Sequence, residues 1–180
     1  KTGRTVSSEA SIGCLAPARN GGSARLRGLA PGPDDQALDL VALATVCDVV
    51  PLTGLNRAFV RQGLKGIAQT TNAGLKALVG LAAPKGPMRA SHFGFALGPR
   101  VNAGGRVGRS DLGALMLSSD DPAFAAEAAA ELDRYNRERQ AIEAEVLAAA
   151  IAQIEAKGVG AGLAAAAGKG WHPGVVGIVA

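Results

Sequence analysis

Apolar residues near the middle of the chain follow patterns that predict helices. The run LDLVALATVCDVVPL at 38–52 predicts a buried helix that passes into a strand or turn and ends at Pro51, since proline disfavours helix at the residue before it. The next stretch, 54–69, carries apolar residues at helical spacing, namely Leu55, Phe59, Val60, Leu64 and Ile67. GLKALVGLA at 74–82 predicts a further short helix.

Residues 120–157 carry the clearest helical pattern. Asp121 is a good N-cap, Pro122 suits the first helical position, and the Ala- and Glu-rich run continues to Gly158, a natural C-terminal stop. At 1.5 Å per residue this helix would be roughly 50 Å long. Apolar side chains recur along one side, but Arg139 interrupts them. The pattern therefore favours a helix that packs along one side or bridges two domains over a coiled coil.

The remaining stretches predict loops and weak structure. Residues 1–36 are rich in Gly, Ser, Pro and Arg without helical or strand periodicity, and they are interpreted as loop-like or poorly ordered. GPRVNAGGR at 98–106 predicts a loop, because Pro99 and the glycines argue against a continuous helix. GVGAGLAAAA at 158–167 predicts a weak strand, followed by a loop that enters another element.

The composition is typical of a globular protein, because 48% of the residues are hydrophobic. A chain of 180 residues is long enough for one hydrophobic core or for parts of two. No apolar stretch reaches the roughly 18–20 residues of a membrane span, and 1–13 lacks the apolar core of a signal peptide. We therefore expect a cytoplasmic protein without a membrane partner. The two cysteines are far apart and histidines are few, which favours neither a zinc site nor a disulfide framework.

Basic side chains gather in the central segment 38–111, although the formal net charge is only +4. Such a segment would attract a polyanion, unless its charges are ordinary solvated ones. The Gly-rich stretches contain no complete Walker motif. They also lack the preceding strand and the later acidic residue that a dinucleotide-binding fold requires.

Asp48 is the unexpected residue of the first apolar run. An ionised carboxylate in a dry core costs several kcal/mol unless it is paired, hydrogen-bonded or bound to a metal. Two interpretations follow from the residues alone: Asp48 binds a metal ion, or it lies at a helix end and caps backbone amides.

Three stretches in this order resemble the RecJ family of single-stranded-DNA exonucleases in the DHH phosphoesterase superfamily. They are LDLVALATVCDVVPL with the following NRAFVRQGL, then FALGPRVNAGGRVG, then WHPGVVGIVA, and the match covers about residues 37–180. The resemblance implies an α/β fold class with three parts. These are the mostly helical C-terminal part of a DHH catalytic domain at 37–119, a long connecting helix at 120–158, and the start of a DHHA1 domain at 159–180.

The resemblance also implies a function. The chain would be a fragment of a metal-dependent 5′–3′ exonuclease that hydrolyses single-stranded DNA in repair and recombination. Asp48 would be a ligand of Mn²⁺ or Mg²⁺, and would account for the carboxylate in the apolar run. The family's other aspartate motifs and its Asp-His-His triplet do not occur in this sequence, so we expect an internal fragment that is inactive alone.

Candidate contacts to the DNA backbone follow from the second and third stretches: Arg100, Asn102, Arg106 and His172. Arginine forks suit phosphate, and such contacts would position the strand without reading its sequence. In the alternative interpretation, the arginines pair with acidic residues of the long helix, such as Glu131 or Asp133, and His172 belongs to a simple turn. Two other functions stay open: a non-catalytic nucleic-acid-binding or structural helical module, and a DHH phosphodiesterase acting on short oligonucleotides or cyclic dinucleotides.

Overall fold

The computed structural model describes residues 37–82, 86–157 and 163–180, and this part of the chain is helical. In chain order the α-helices are α1 (Leu38–Cys47), α2 (Gly54–Gly66), α3 (Ala73–Ala82), α4 (Gly98–Val107), α5 (Leu112–Ser118), α6 (Pro122–Lys157) and α7 (Pro173–Val179). A 3₁₀ turn, Ile67–Gln69, continues α2, whereas the short turn Ala90–His92 and a π-helical segment, Phe93–Leu97, lead directly into α4. None of the described helices is both long and apolar enough to cross a membrane.

The long helix α6 organises the core. Asp121 Oδ1 accepts a hydrogen bond from Ala123 N at 2.9 Å, which confirms the predicted N-cap, and the helix begins at Pro122 as its signals indicate. One side of α6 packs against α3, α4 and α5 through Ala129 and Leu132, both fully buried. The helix therefore forms the common wall on which three other helices rest.

Two of the stretches with predicted structure, 1–36 and 158–167, lie wholly or partly outside the described residues. The interpretation of 1–36 lies outside the described residues. The predicted strand at 158–167 is wrong where the structure describes it, because 163–167 form no strand. Instead, the carboxamide of Gln153 on α6 accepts from Ala167 N at 3.2 Å and donates to Ala167 O at 3.1 Å. The Gln153 side chain thus pairs with the N–H and C=O of Ala167, the groups that a neighbouring strand would pair with in a sheet.

The stretch predicted as a loop, 98–106, is the α-helix α4, and that prediction is wrong. Pro99 lies in the first turn of α4, directly after the π turn, a position that tolerates proline. The preceding π turn is marked by the bond from Gly98 N to Phe93 O, five residues back. The glycines permit close packing: a Cβ on Gly98 would lie 2.5 Å from Cys47 Sγ, and one on Gly104 would collide with Arg109 O.

Helices α1 and α2 approach closely at a glycine. A Cβ on Gly63 would lie 2.5 Å from Ala42 Cβ and would collide with the carbonyl oxygen of Leu38. Of the predicted apolar face of α2, Val60 is buried, whereas Leu55 is 72% exposed. The contact is therefore made around a small residue that a hydrophobicity pattern does not identify.

We expect Gly63→Ala to lower the free energy of unfolding by about 1–3 kcal/mol, since the added methyl group has no space beside the α1 backbone. Gly66→Ala on the same helix is the matched control. Nothing lies near its Cβ position, so it should raise stability by about 0.5–1 kcal/mol, the usual gain of Ala over Gly in a helix. Urea unfolding followed by circular dichroism measures both, and equal effects would contradict the close approach.

Candidate functional site

A cavity of about 190 Å³ lies where the three stretches of the resemblance meet. Its wall is formed by Cys47 at the end of α1, Gly94 of the π segment, and Gly98, Pro99, Asn102 and Arg106 of α4. Arg139 of α6 and Ile178 of α7 complete the wall. Residues far apart in sequence are thus brought to one site, and two of the predicted binding residues, Asn102 and Arg106, are among them.

Asp48 follows the cavity residue Cys47 directly, but the expectation that it is buried is wrong. Asp48 is exposed, and the buried carboxylate of the same run is Asp39, which is 5% exposed in the first turn of α1. That position is favourable for an anion, because the positive end of the helix dipole lies there. The apolar run therefore does hold a buried aspartate, but not the one that the sequence singled out.

The backbone at Asp48 ends α1 in an unusual way. Val49 N donates to Val46 O at 3.1 Å and Val50 N to Thr45 O at 3.2 Å, the pair of bonds that defines a Schellman motif. The motif needs a left-handed residue after the cap, and here it is Val49, with φ of 55°. Glycine is the usual residue at such a position, and a β-branched side chain is strained in it.

The position of Asp48 bears on the two interpretations of its carboxylate. At the C-terminal end of a helix the unsatisfied groups are carbonyls, so capping of backbone amides does not fit. The same end carries the negative pole of the helix dipole, which disfavours a second negative charge and favours a cation. However, the described residues contain no group of three or more His, Cys, Asp or Glu side chains placed to hold a metal ion.

Arg100 has structural partners. Its Nε donates to Asp133 Oδ1 of α6 at 2.8 Å, and its Nη1 donates to Ala96 O at 2.7 Å. Both side chains of the ion pair are mostly buried. This is the pairing with the long helix that the alternative interpretation described for Arg100.

Arg106 and Asn102 lie one turn apart on α4 and are exposed beside the cavity. Nη1 of Arg106 donates to Gly174 O of α7 at 3.1 Å, and no ion pair involves Arg106 in the part of the chain that the structure describes. The alternative of pairing with the acidic residues of α6 is therefore not what the structure has for Arg106. Its guanidinium therefore has no carboxylate partner within the described ranges, and one of its five N–H donors is used by the carbonyl of Gly174.

His172 is the N-cap of α7. Its Nδ1 accepts a hydrogen bond from Gly174 N at 3.1 Å. Because Nδ1 accepts, a neutral His172 carries its proton on Nε2, which is then the nitrogen able to donate to a ligand. The simple turn and a contact role are thus compatible at this residue.

Arg139 was not predicted as a site residue. The sequence did contain a signal for it, because Arg139 interrupts the apolar side chains along one side of the long helix. Its side chain is only 11% exposed and pairs with Glu143, while Nη2 donates to Asn136 Oδ1 at 3.2 Å. The third guanidinium nitrogen, Nε, is buried and has no hydrogen-bond partner among the described residues. Arg139, a charged residue on the packed side of α6, thus lies in the cavity wall.

Cys47 supplies a thiol to the same wall. Its Sγ donates to Phe93 O at 3.7 Å, and burial raises the pKa of the thiol above its ordinary value. A raised pKa means less thiolate at neutral pH, so Cys47 reacts slowly as a nucleophile. We therefore assign it no catalytic role.

Comparison with known proteins agrees with the resemblance. No family model matches the chain. It is 40% identical to the single-stranded-DNA-specific exonuclease RecJ of Bacillus subtilis over 147 residues, and 41% identical to that of Escherichia coli over 153 residues. The chain is RecJ-like. Each alignment covers 81% of this RecJ-like chain. The chain spans only 19% of the Bacillus subtilis protein and 26% of the Escherichia coli protein.

Solved structures give the same result. The crystal structure of Thermus thermophilus RecJ in complex with Mn²⁺ superposes with a TM-score of 0.72 at 35% identity, covering 82% of this RecJ-like chain and 22% of that one. A manganese-bound exonuclease RecJ structure has the same TM-score and identity, with 87% of this chain and 38% of the other covered. The mostly helical architecture of α1 to α7 is therefore one that RecJ proteins contain.

The strain at Val49 gives a testable prediction. A non-glycine residue in the left-handed region lowers the stability of the folded state by about 1–2 kcal/mol. Glycine avoids this strain, but its greater freedom in the unfolded chain lowers stability by about 0.5–1 kcal/mol. Because the Val49 side chain is exposed, Val49→Gly should raise the free energy of unfolding by up to about 1 kcal/mol.

Val41→Gly, within α1, is the control and should lower stability by about 1 kcal/mol, since it puts glycine into a helix interior and removes a side chain that is more than half buried. Thermal unfolding of both variants makes the comparison. Equal destabilisation would show that Val49 is not held in the left-handed conformation.

Proposed function

We propose that this chain is the segment of a RecJ-type, single-stranded-DNA-specific exonuclease that connects the metal centre to the strand-binding cavity. The observation that carries the proposal is the convergence of the three RecJ-like stretches on one cavity lined by Asn102, Arg106 and Arg139. The similar proteins named above are single-stranded-DNA-specific exonucleases. The activity belongs to the complete protein, phosphodiester hydrolysis at the 5′ end of a DNA strand.

In this proposal the three parts of the chain have separate tasks. Residues 37–119 are the C-terminal part of a DHH catalytic domain, 120–158 the connecting helix, and 159–180 the start of a DHHA1 domain. The support is that α6 is one uninterrupted helix over Pro122–Lys157, against which both α4 and α7 lie. The α/β character would come from strands in parts of RecJ proteins that this match does not cover.

Asp48 would supply one carboxylate ligand to Mn²⁺ or Mg²⁺, the ions present in the RecJ structures similar to this chain. Its exposed position at the negative end of α1 suits a bound cation. Since the described residues do not form a complete ligand set, the other ligands would come from elsewhere in the full protein. When bound, the metal lowers the pKa of a coordinated water and neutralises charge on the phosphate.

The DNA strand would be held by side chains of α4. Because Arg106 pairs with no carboxylate among the described residues, it can donate to phosphate oxygens, and Asn102, one turn earlier, can donate beside it. The Nε2–H of His172 is a further donor on the side of α7. Arg100 would act through packing, because its bonds to Asp133 and Ala96 hold α4 against α6.

A chimera tests the proposed function. This chain replaces the corresponding segment of Bacillus subtilis RecJ, and we expect Mn²⁺-dependent release of nucleotides from single-stranded but not duplex DNA. Asp48→Asn should abolish that release, because it removes a charged metal ligand, whereas Asp120→Asn, an exposed carboxylate without a proposed role, should leave it unchanged. The chain alone should be inactive.

A folded chimera that binds DNA but releases no nucleotide would favour the non-catalytic module. Cleavage of dinucleotides or cyclic dinucleotides in place of long strands would favour the phosphodiesterase alternative. Activity that survives Asp48→Asn would exclude Asp48 as a required ligand.

The strand contact gives a second prediction on the same chimera. Arg106→Gln should weaken binding to single strands of any sequence and should reduce the slope of log affinity against log salt by about 0.7, the value for one lost phosphate contact. Arg57→Gln, an exposed arginine of α2, is the control and should change neither. Fluorescence anisotropy over a range of salt concentrations measures both, and an unchanged slope for Arg106→Gln would exclude the contact.

A further inference from the structure

Phe95, in the π-helical segment before α4, is an aromatic residue that the described fold leaves in solvent. It is 87% exposed, although phenylalanine is usually buried. Phe93 and Leu97, two residues to either side, are fully buried, so the segment turns Phe95 away from the core. The part of the chain that the structure describes therefore gains almost no packing from this ring.

The proposed strand contacts lie on the same face of the helical run as Phe95. Pro99, Asn102 and Arg106, all in the cavity wall, follow it by four, seven and eleven residues, a spacing that keeps side chains on one face of a helix. The run is continuous from Phe93 to Val107, so at about 1.5 Å per residue Phe95 lies roughly 15 Å from Arg106 along the axis. A strand held by Arg106 and Asn102 can therefore pass over Phe95.

The beginning of this face is close to α1. A Cβ on Gly94, the residue before Phe95, would lie 3.5 Å from Val46 Cγ1, and Val46 precedes Asp48 by two residues. The backbone of Phe95 is thus close to the end of α1, which carries the proposed metal ligand. The face therefore extends from the neighbourhood of Asp48 to Arg106.

We propose that Phe95 is a stacking platform for one unpaired base of the DNA strand. Every base has a flat π-face, so stacking on an aromatic ring is favourable for any sequence. In a duplex that face is already stacked on the next base pair and must be freed before it can bind elsewhere, so the exposed ring favours single strands. The proposal rests on the proposed function and adds to it a source of the preference for single strands.

The alternative occupant is another part of the complete protein, which would bury the ring by ordinary packing. A packed ring fits one shape, so its removal lowers stability and a larger indole is poorly tolerated. A stacking platform stays exposed until DNA binds. Its removal leaves stability unchanged, and an indole in its place stacks as well.

The test uses the chimera with Bacillus subtilis RecJ, without divalent metal so that the DNA stays intact. Phe95→Ala should weaken binding to a single-stranded oligonucleotide by about 5- to 150-fold, the range for one lost base stack, as measured by fluorescence anisotropy. Its slope of log affinity against log salt should stay that of the parent, because no phosphate contact is lost. Phe95→Trp should keep the parent affinity.

Leu55→Ala is the matched control, because it removes an apolar side chain of α2 that is 72% exposed. It should change neither affinity nor slope. Oligonucleotides with one abasic position, moved stepwise along the strand, then identify the stacked base. At one position the loss of the base and the loss of the Phe95 ring should not add, since both remove the same contact.

This non-additivity, together with full binding by Phe95→Trp, supports the proposal. Unchanged affinity in Phe95→Ala, or additive losses at every abasic position, overturns it. Equal weakening by both Phe95 variants with a lower midpoint of thermal unfolding also overturns it, in favour of packing within the protein. A chimera that cuts single strands but does not respond at Phe95 would keep the proposed function and reject the platform, whereas coupling to one base in a chimera that releases no nucleotide would do the reverse.

Discussion

The contact between Cys47 and the start of α4 is the constraint on which the site depends. The carbonyl of Phe93 accepts from both Gly98 N and Cys47 Sγ, so one acceptor holds the π turn and the end of α1. A carbonyl oxygen has two lone pairs and can accept both bonds. Because a Cβ at position 98 would lie 2.5 Å from Cys47 Sγ, only glycine permits this approach. It brings the end of α1, and with it Asp48, next to the helix that carries Asn102 and Arg106.

The residues within α6 were sufficient to predict that helix, whereas the residues within α4 were not sufficient to predict α4. The long helix has its N-cap, its first-turn proline and its helix-favouring residues within its own sequence, and Asp121 caps it as expected. In α4 the same kinds of residue misled the interpretation, because proline and glycine were taken as helix breakers. Pro99 is harmless in a first turn, and Gly98 and Gly104 are small because Cys47 and Arg109 lie against them. The contact of Gly98 with Cys47 joins distant parts of the chain, and that of Gly104 depends on how the chain turns back after α4, so the composition of 98–106 reveals neither.

The two aspartates of the first apolar run differ in burial, which its sequence does not predict. Leu38–Cys47 is apolar on nearly every side, so its sequence does not tell which side faces the core. In the structure Asp39, Ala42 and Leu43 share the buried face, at the i, i+3, i+4 spacing of a helix. Asp48 lies beyond the last turn and is exposed. The apolar run drew attention to Asp48 as a carboxylate in the wrong surroundings, but only the resemblance to RecJ supplied a metal-ligand role for it, and that role stays a prediction.

The two arginines of α4 differ in how many donors the fold uses. Arg100 gives Nε and Nη1 to Asp133 and Ala96, which fixes its guanidinium between two elements. Within the part of the chain that the structure describes, the guanidinium of Arg106 gives one bond, from Nη1 to Gly174 O, and a Cβ on Gly174 would collide with the backbone of Arg106. That bond sets the distance between α4 and α7 while it leaves most of the fork available. A guanidinium already oriented by one bond loses less conformational entropy when it binds phosphate, so the structural contact of Arg106 favours a binding role.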